Sequence, residues 1–132
     1  MRFVALDLGA KRTGVAVGDD ETRIVTPLLT IDTASESERW RQLAKLLDNE
    51  RPDAIVVGVP FNMDGTAGPA AKAALQFIEQ ADARFRLPIH PQDERLTSST
   101  ADEQMARTGL THGQKKQRRD ALAAAAILRA WF

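Results

Sequence analysis

At 132 residues the chain is long enough for one domain with a substantial buried core, and its lack of cysteine excludes disulfides and thiolate metal sites. Lysine plus arginine and aspartate plus glutamate stand at 18 each, so no net charge advertises an acidic partner such as nucleic acid. Only His90 and His112 are available as imidazole ligands, which disfavours zinc and leaves magnesium or manganese on carboxylate oxygens as the metals such a chain would hold.

The opening MRFVALDLGA has too short an apolar core for a signal peptide, and Asp7 interrupts it. The apolar stretch around Ile55–Phe61 falls far short of a membrane span, so a cytoplasmic protein without a membrane partner is expected. Residues 2–8 are a nearly continuous apolar run and read as a buried strand. Residues 13–18 and 23–31 follow at short spacing around the polar turn Asp19-Asp20-Glu21, which implies an antiparallel meander. Ser35 and Glu38 then fit a capping box, and Trp40, Leu43, Ala44 and Leu47 recur on one helical face before Pro52. Residues 54–59 are apolar and rich in β-branched side chains, the pattern of a central parallel strand covered on both sides.

The turn-rich segment 60–68 leads to a second helix with Pro69 in its first turn and Ala70, Ala73, Ala74, Phe77, Ile78 and Ala81 as its apolar positions. Two prolines confine residues 87–92 to a short edge strand. A helix near 98–108, a polar loop at 111–117 and an alanine-rich helix running to about Trp131 complete the order βββαβαβαα. That order describes a mixed α/β sheet with helices on its faces, read as a single domain over 1–132.

Three acids stand out against this frame. Asp7 lies between Leu6 and Leu8 inside an apolar strand, where an uncompensated carboxylate is costly. Gly9 lets another group approach the backbone, and Lys11 and Arg12 bring positive charge; a strand-terminal Asp receiving turn hydrogen bonds accounts for the pattern equally well. Asp93-Glu94-Arg95 follows a strand at a point where α/β folds place chemistry, although a solvated loop has the same composition. Thr97 and Ser98 suit either helix capping or a phosphate at a helix amino end. Asp120 near a helix start satisfies the macrodipole, but Lys115, Lys116, Arg118 and Arg119 just before it do not. Four cations without an acid between them suit an external anion, for which a phosphodiester backbone is the natural candidate; a solvated basic loop is the alternative.

The segments DLGAKRTGVAVGD (7–19), VVGVPFNMDGTAG (56–68), DERLTSSTA (93–101) and RDALAAAAIL (119–128) resemble, in order and spacing, the successive motifs of the YqgF family, also called RuvX, over essentially the whole chain. The resemblance implies an RNase H-like fold with sheet order 3-2-1-4-5 and helices on both faces. It also implies that Asp7, Glu94 and Asp120 form an acidic triad. Members are described as nucleases that process the 5′ end of precursor 16S ribosomal RNA, and were earlier classed as Holliday-junction resolvases by kinship with RuvC. Relatives of this fold commonly place a second acid near the fourth strand, whereas this strand runs into VPFN. Glu94 then takes the role, and Asp64 is a reserve for metal or turn duty.

The mechanism implied is phosphodiester hydrolysis with two magnesium or manganese ions on Asp7, Glu94 and Asp120. Lys11, Arg12, Arg95 and the 115–119 stretch would grip the strand by its phosphates, and Asn62 and Gly65 would shape one wall of the cleft, although ordinary turn chemistry explains that loop equally well. The expected partners are a ribosomal RNA precursor, free or in a pre-ribosomal particle, or branched DNA, with the protein a monomer or a homodimer. Three rival readings use the same residues: a two-fold symmetric junction resolvase, a metal-free RNA-binding assembly factor, and a sugar-kinase-like nucleotide binder. The last needs two such domains.

Overall fold

A computed structural model describes residues 1–95 and 112–132, with side chains in the second stretch described from Arg119 onward. Five strands, β1 (Arg2–Leu8), β2 (Arg12–Asp19), β3 (Val25–Asp32), β4 (Ala54–Val59) and β5 (Ile89–Asp93), join in the order β3-β2-β1-β4-β5. The first three pair antiparallel, while β4 runs parallel to β1 and β5 parallel to β4. This is the RNase H-like sheet. Pro27 and Pro91 sit in its two edge strands, where a missing N–H costs least, and the β2–β3 pairing slips at Val15/Ala16.

Alternation along each strand sends its residues to opposite layers. Val4, Leu6, Val15, Val17, Ile55 and Val57 face α1 (Glu36–Glu50) and α2 (Pro69–Arg84), meeting Trp40, Leu43, Leu46 and Phe77. Trp40 and Phe77 stack at 4.7 Å between ring centroids and lock the two helices together. Phe3, Ala5, Ala54 and Val56 face the other layer, where Ile127 and Leu128 of α3 (His112–Trp131) cover them. The alanines of α3 are what bring that helix close, with Ala124 and Ala125 packed directly on Ala16. His90 stacks on Trp131 at 4.6 Å and ties the end of α3 to β5.

The structure corrects three readings of the sequence. The last helix begins at His112, so the basic residues 115–119 stand on its first turns and not in a loop at 111–117. On α1, Ala44 is exposed and Leu46 is buried; on α2, Ala70 and Ala73 are exposed and Ala71 is buried. Alanine tolerates either side of a helix, so its position carries little directional information, whereas Trp40, Leu43 and Phe77 point inward as expected. The helix expected near 98–108, with Thr97 and Ser98, lies outside the described residues. Ser35 caps α1, accepting a hydrogen bond from the Glu38 amide at 3.3 Å. Among the described residues no helix is long and apolar enough to cross a membrane.

Candidate active site

Asp7 occupies the penultimate position of β1 and points to the α3 layer, as its alternation with Leu6 and Leu8 requires. Its neighbour across the β2 ladder is Gly14, and on the β4 side Gly58 follows Val57, the partner of Leu6. Neither glycine has a side chain to fill the space beside the carboxylate, and each space is taken by another part of the site. A Cβ on Gly14 would overlap the carbonyl of Asp120 and stand 3.0 Å from the Ala121 nitrogen. A Cβ on Gly58 would overlap Cδ1 of Ile127 and fall 2.7 Å from Cδ and 2.8 Å from Cγ of Glu94. The two glycines thus admit Asp120 from above and Glu94 from the side.

Glu94 follows β5, its amide bonded to the Val59 carbonyl at 3.1 Å, which turns the side chain back over Gly58. Asp7 and Glu94 are half-buried and hydrogen-bonded to each other, a contact that requires a proton between them. Burial, and after it the contact with Asp7, pushes Glu94 up to about 9. Burial also raises Asp7, the hydrogen bond from Glu94 opposes that rise, and the charge of Asp120 adds to it.

Asp120 has a different partner. Its Oδ2 lies 3.0 Å from Nε of Arg12 and is buried without a well-aligned hydrogen bond. Burial pushes this carboxyl up, with Arg12 and Arg119 pulling it down and Asp32 raising it further. Asp32 is the ladder partner of Arg12 on β3 and brings a fourth acid to this corner.

The three acids singled out in the sequence therefore gather at one end of the sheet, as a proton-sharing pair and an Arg-held third member. Among the described residues no group of three or more His, Asp or Glu side chains stands close enough to hold a metal ion as arranged. The donor set nonetheless suits one. Asp7, Glu94 and Asp120 bring hard oxygen donors to one strand end, and Oδ2 of Asp120 is a buried acceptor without a well-aligned hydrogen bond. A proton and a guanidinium supply the positive charge that such a cluster needs.

The remaining candidates divide by location. Gly9 closes the β1–β2 turn by donating to the Arg12 carbonyl at 2.8 Å, and the exposed Lys11 flanks Arg12 there. Arg95 is held by Asp93, at 2.7 Å from its Nε, and reaches the Met63 carbonyl at 3.4 Å. It thereby ties the loop after β5 to the 62–66 turn. Asp64 serves that turn and not the acid cluster: it accepts from the amide and hydroxyl of Thr66, at 2.9 and 2.6 Å. Asn62 donates to the Thr66 hydroxyl at 3.0 Å, and Gly65 takes the positive φ of 88° that the turn demands. Reasoning from the sequence missed Gly14, Gly58 and Asp32. The two glycines carried a signal, since glycine inside an apolar strand marks a close approach by something else.

The family described as RuvX, Holliday junction resolvase, matches residues 1–132. A protein of Pseudomonas putida named "Putative pre-16S rRNA nuclease" is 41% identical over 131 residues, spanning 98% of this chain and 93% of its own length. A relative of the same name from Chromobacterium violaceum is 40% identical over 130 residues, covering 98% and 95% of the two chains. Among solved structures, Thermus thermophilus RuvC in complex with a Holliday junction substrate superposes with a TM-score of 0.61 at 15% identity, over 96% of this chain and 92% of that one. The fowlpox virus Holliday junction resolvase gives 0.58 at 14% identity, over 99% and 97%. At such identities these two share the fold.

Proposed function

The chain belongs to the RuvX family, and on that premise we propose that it is a single-domain, cytoplasmic, metal-dependent nuclease acting on the 5′ end of precursor 16S ribosomal RNA. The observation that carries this reading is the Asp7–Glu94 contact with Asp120 beside it, at the open end of the central strand. Buried acids of like charge are kept together at a cost that structure alone does not require.

Asp7, Glu94 and Asp120 would hold one or two magnesium or manganese ions. Bound there, such an ion supplies an activated water and charge for the departing oxygen. The chain's own groups do the rest. Asp7, paired with Gly14 on β2 and one residue beyond the Leu6–Val57 pair with β4, sets the centre of the donor set. Glu94 gives up its proton on ionising. Lys11, Arg12 and Arg95, with the basic turns of α3, hold the strand by its phosphates. The names of the relatives support ribosomal RNA as the substrate.

A second reading, junction cleavage, is favoured by the description of the matching family. It requires a two-fold dimer presenting two sites to a four-way junction. Cleavage of labelled precursor RNA and of a four-way junction, compared side by side with magnesium present, separates the two. In both cases Asp7→Asn should lower the rate more than about a hundredfold, beyond what loss of an outer-shell partner costs. Undiminished cleavage by that variant would remove the metal-dependent reading altogether.

A further inference from the structure

Arg12 stands where a ligand to Asp120 would stand. Its Nε lies 3.0 Å from Oδ2, and that oxygen has no well-aligned hydrogen bond from any described group. Asp120 cannot move off as a unit, because its backbone rests on Gly14 with no room for even a Cβ between them. Arg12 can. It begins β2 beside the Gly9 turn, its side chain is 36% exposed, and its neighbour Lys11 faces solvent. A guanidinium offers five donors in a fork suited to phosphate, and its attachment to Asp120 is through the Nε side. The ion pair is close but poorly aligned, a geometry from which Arg12 is readily drawn by a better acceptor.

We propose that Arg12 is a tethered counter-ion that occupies Asp120 in the metal-free protein and yields it when a strand phosphate takes the guanidinium, so that nucleic acid and divalent cation bind cooperatively. The inference rests on the metal-dependent nuclease reading above, and makes Arg12 a positioning residue acting through Asp120. A guanidinium and a divalent cation repel each other across one carboxylate, so whatever draws Arg12 away favours the cation. Linkage makes the effect reciprocal: the cation raises affinity for the strand by the same factor. The arrangement keeps the acid cluster neutralised without a bound ion and reserves full assembly for the moment when substrate is present.

The test is the Mn2+ affinity of the intact chain, read from the resonance of the free ion, with and without a nuclease-resistant 2′-O-methyl phosphorothioate RNA strand whose own Mn2+ binding is subtracted. Wild type should bind Mn2+ about tenfold more tightly with the strand present, and Arg12→Gln should show that gain without the strand and little more with it. In the Asp120→Asn background the same Arg12 substitution should change Mn2+ affinity little, which distinguishes release of Asp120 from a general loss of positive charge. A strand effect in the wild-type chain can be read without any variant. Equal affinities in wild type and Arg12→Gln, with no strand effect, would overturn the counter-ion role while leaving the nuclease reading intact, provided that Asp7→Asn still abolishes Mn2+ binding. Failure of wild type to bind Mn2+ at all would overturn both.

Discussion

Gly14 lies directly beneath the backbone of Asp120, so that the absence of a side chain on β2 decides how near α3 comes to the sheet. The same glycine pairs with Asp7 in the β1–β2 ladder, so one position sets the separation of two of the three acids.

Gly14→Ala should therefore destabilise the fold as well as the site. The obstructing atoms are backbone, which cannot swing aside, and overpacking of this kind costs about 1–3 kcal/mol. Chemical denaturation should show the midpoint falling with little change in slope. A variant as stable as wild type would mean that α3 is free to shift.

Gly58→Ala should behave differently. Its new Cβ meets the tips of the Ile127 and Glu94 side chains, which can rotate. The stability loss should be the smaller of the two, whereas Mn2+ affinity and cleavage should fall by about tenfold or more because Glu94 is displaced from Asp7. Parallel melting curves and Mn2+ titrations of the two alanine variants check this inversion.

The proton on Glu94 links stability to pH. The folded chain retains it up to about 9, whereas an unfolded glutamate releases it near 4.5. Between those values the folded state binds more protons, so its contribution is complete below the lower value and is lost as pH rises through the upper one. Relative to wild type, the melting temperature of metal-free Glu94→Gln should climb with pH across that window. A constant difference would show that Glu94 ionises normally. Because a divalent cation must displace the same proton, apparent Mn2+ affinity of the wild type should climb over the same range.

The basic turns at the start of α3 predict a salt dependence. Each cation that neutralises a phosphate of a single strand contributes about 0.7 to the slope of log affinity against log salt. Replacing Lys115, Lys116 and Arg118 by glutamine should lower that slope by about 2 for RNA. An unchanged slope would place the strand elsewhere on the surface.

Much of this molecule was legible along the chain. The nearly continuous apolar run at 2–8 and the wholly apolar run at 54–59 are central strands because a strand covered on both faces buries apolar side chains at successive positions. The prolines near 87–92 marked an edge because a strand lacking an N–H cannot pair on both sides there. Asp7 stood out because a carboxylate among leucines needs compensation, which the hydrogen bond with Glu94 supplies and the charge of Asp120 opposes. The faces of the helices were less legible where alanine defined them, since its small methyl is tolerated in core and solvent alike.

Composition, periodicity and motif order determined the element types, the sheet to which they belong and which acids carry the unusual burden of charge. Tertiary structure alone decided how those acids are partnered. Hydrogen bonds and ion pairs act over a few ångströms and depend on orientation, and residues 7, 94 and 120 acquire such distances only once two glycines let a helix and a loop settle onto the same strand end. That is why Glu94 shares a proton with Asp7, and why Arg12, across the strand end on β2, comes within 3.0 Å of Asp120.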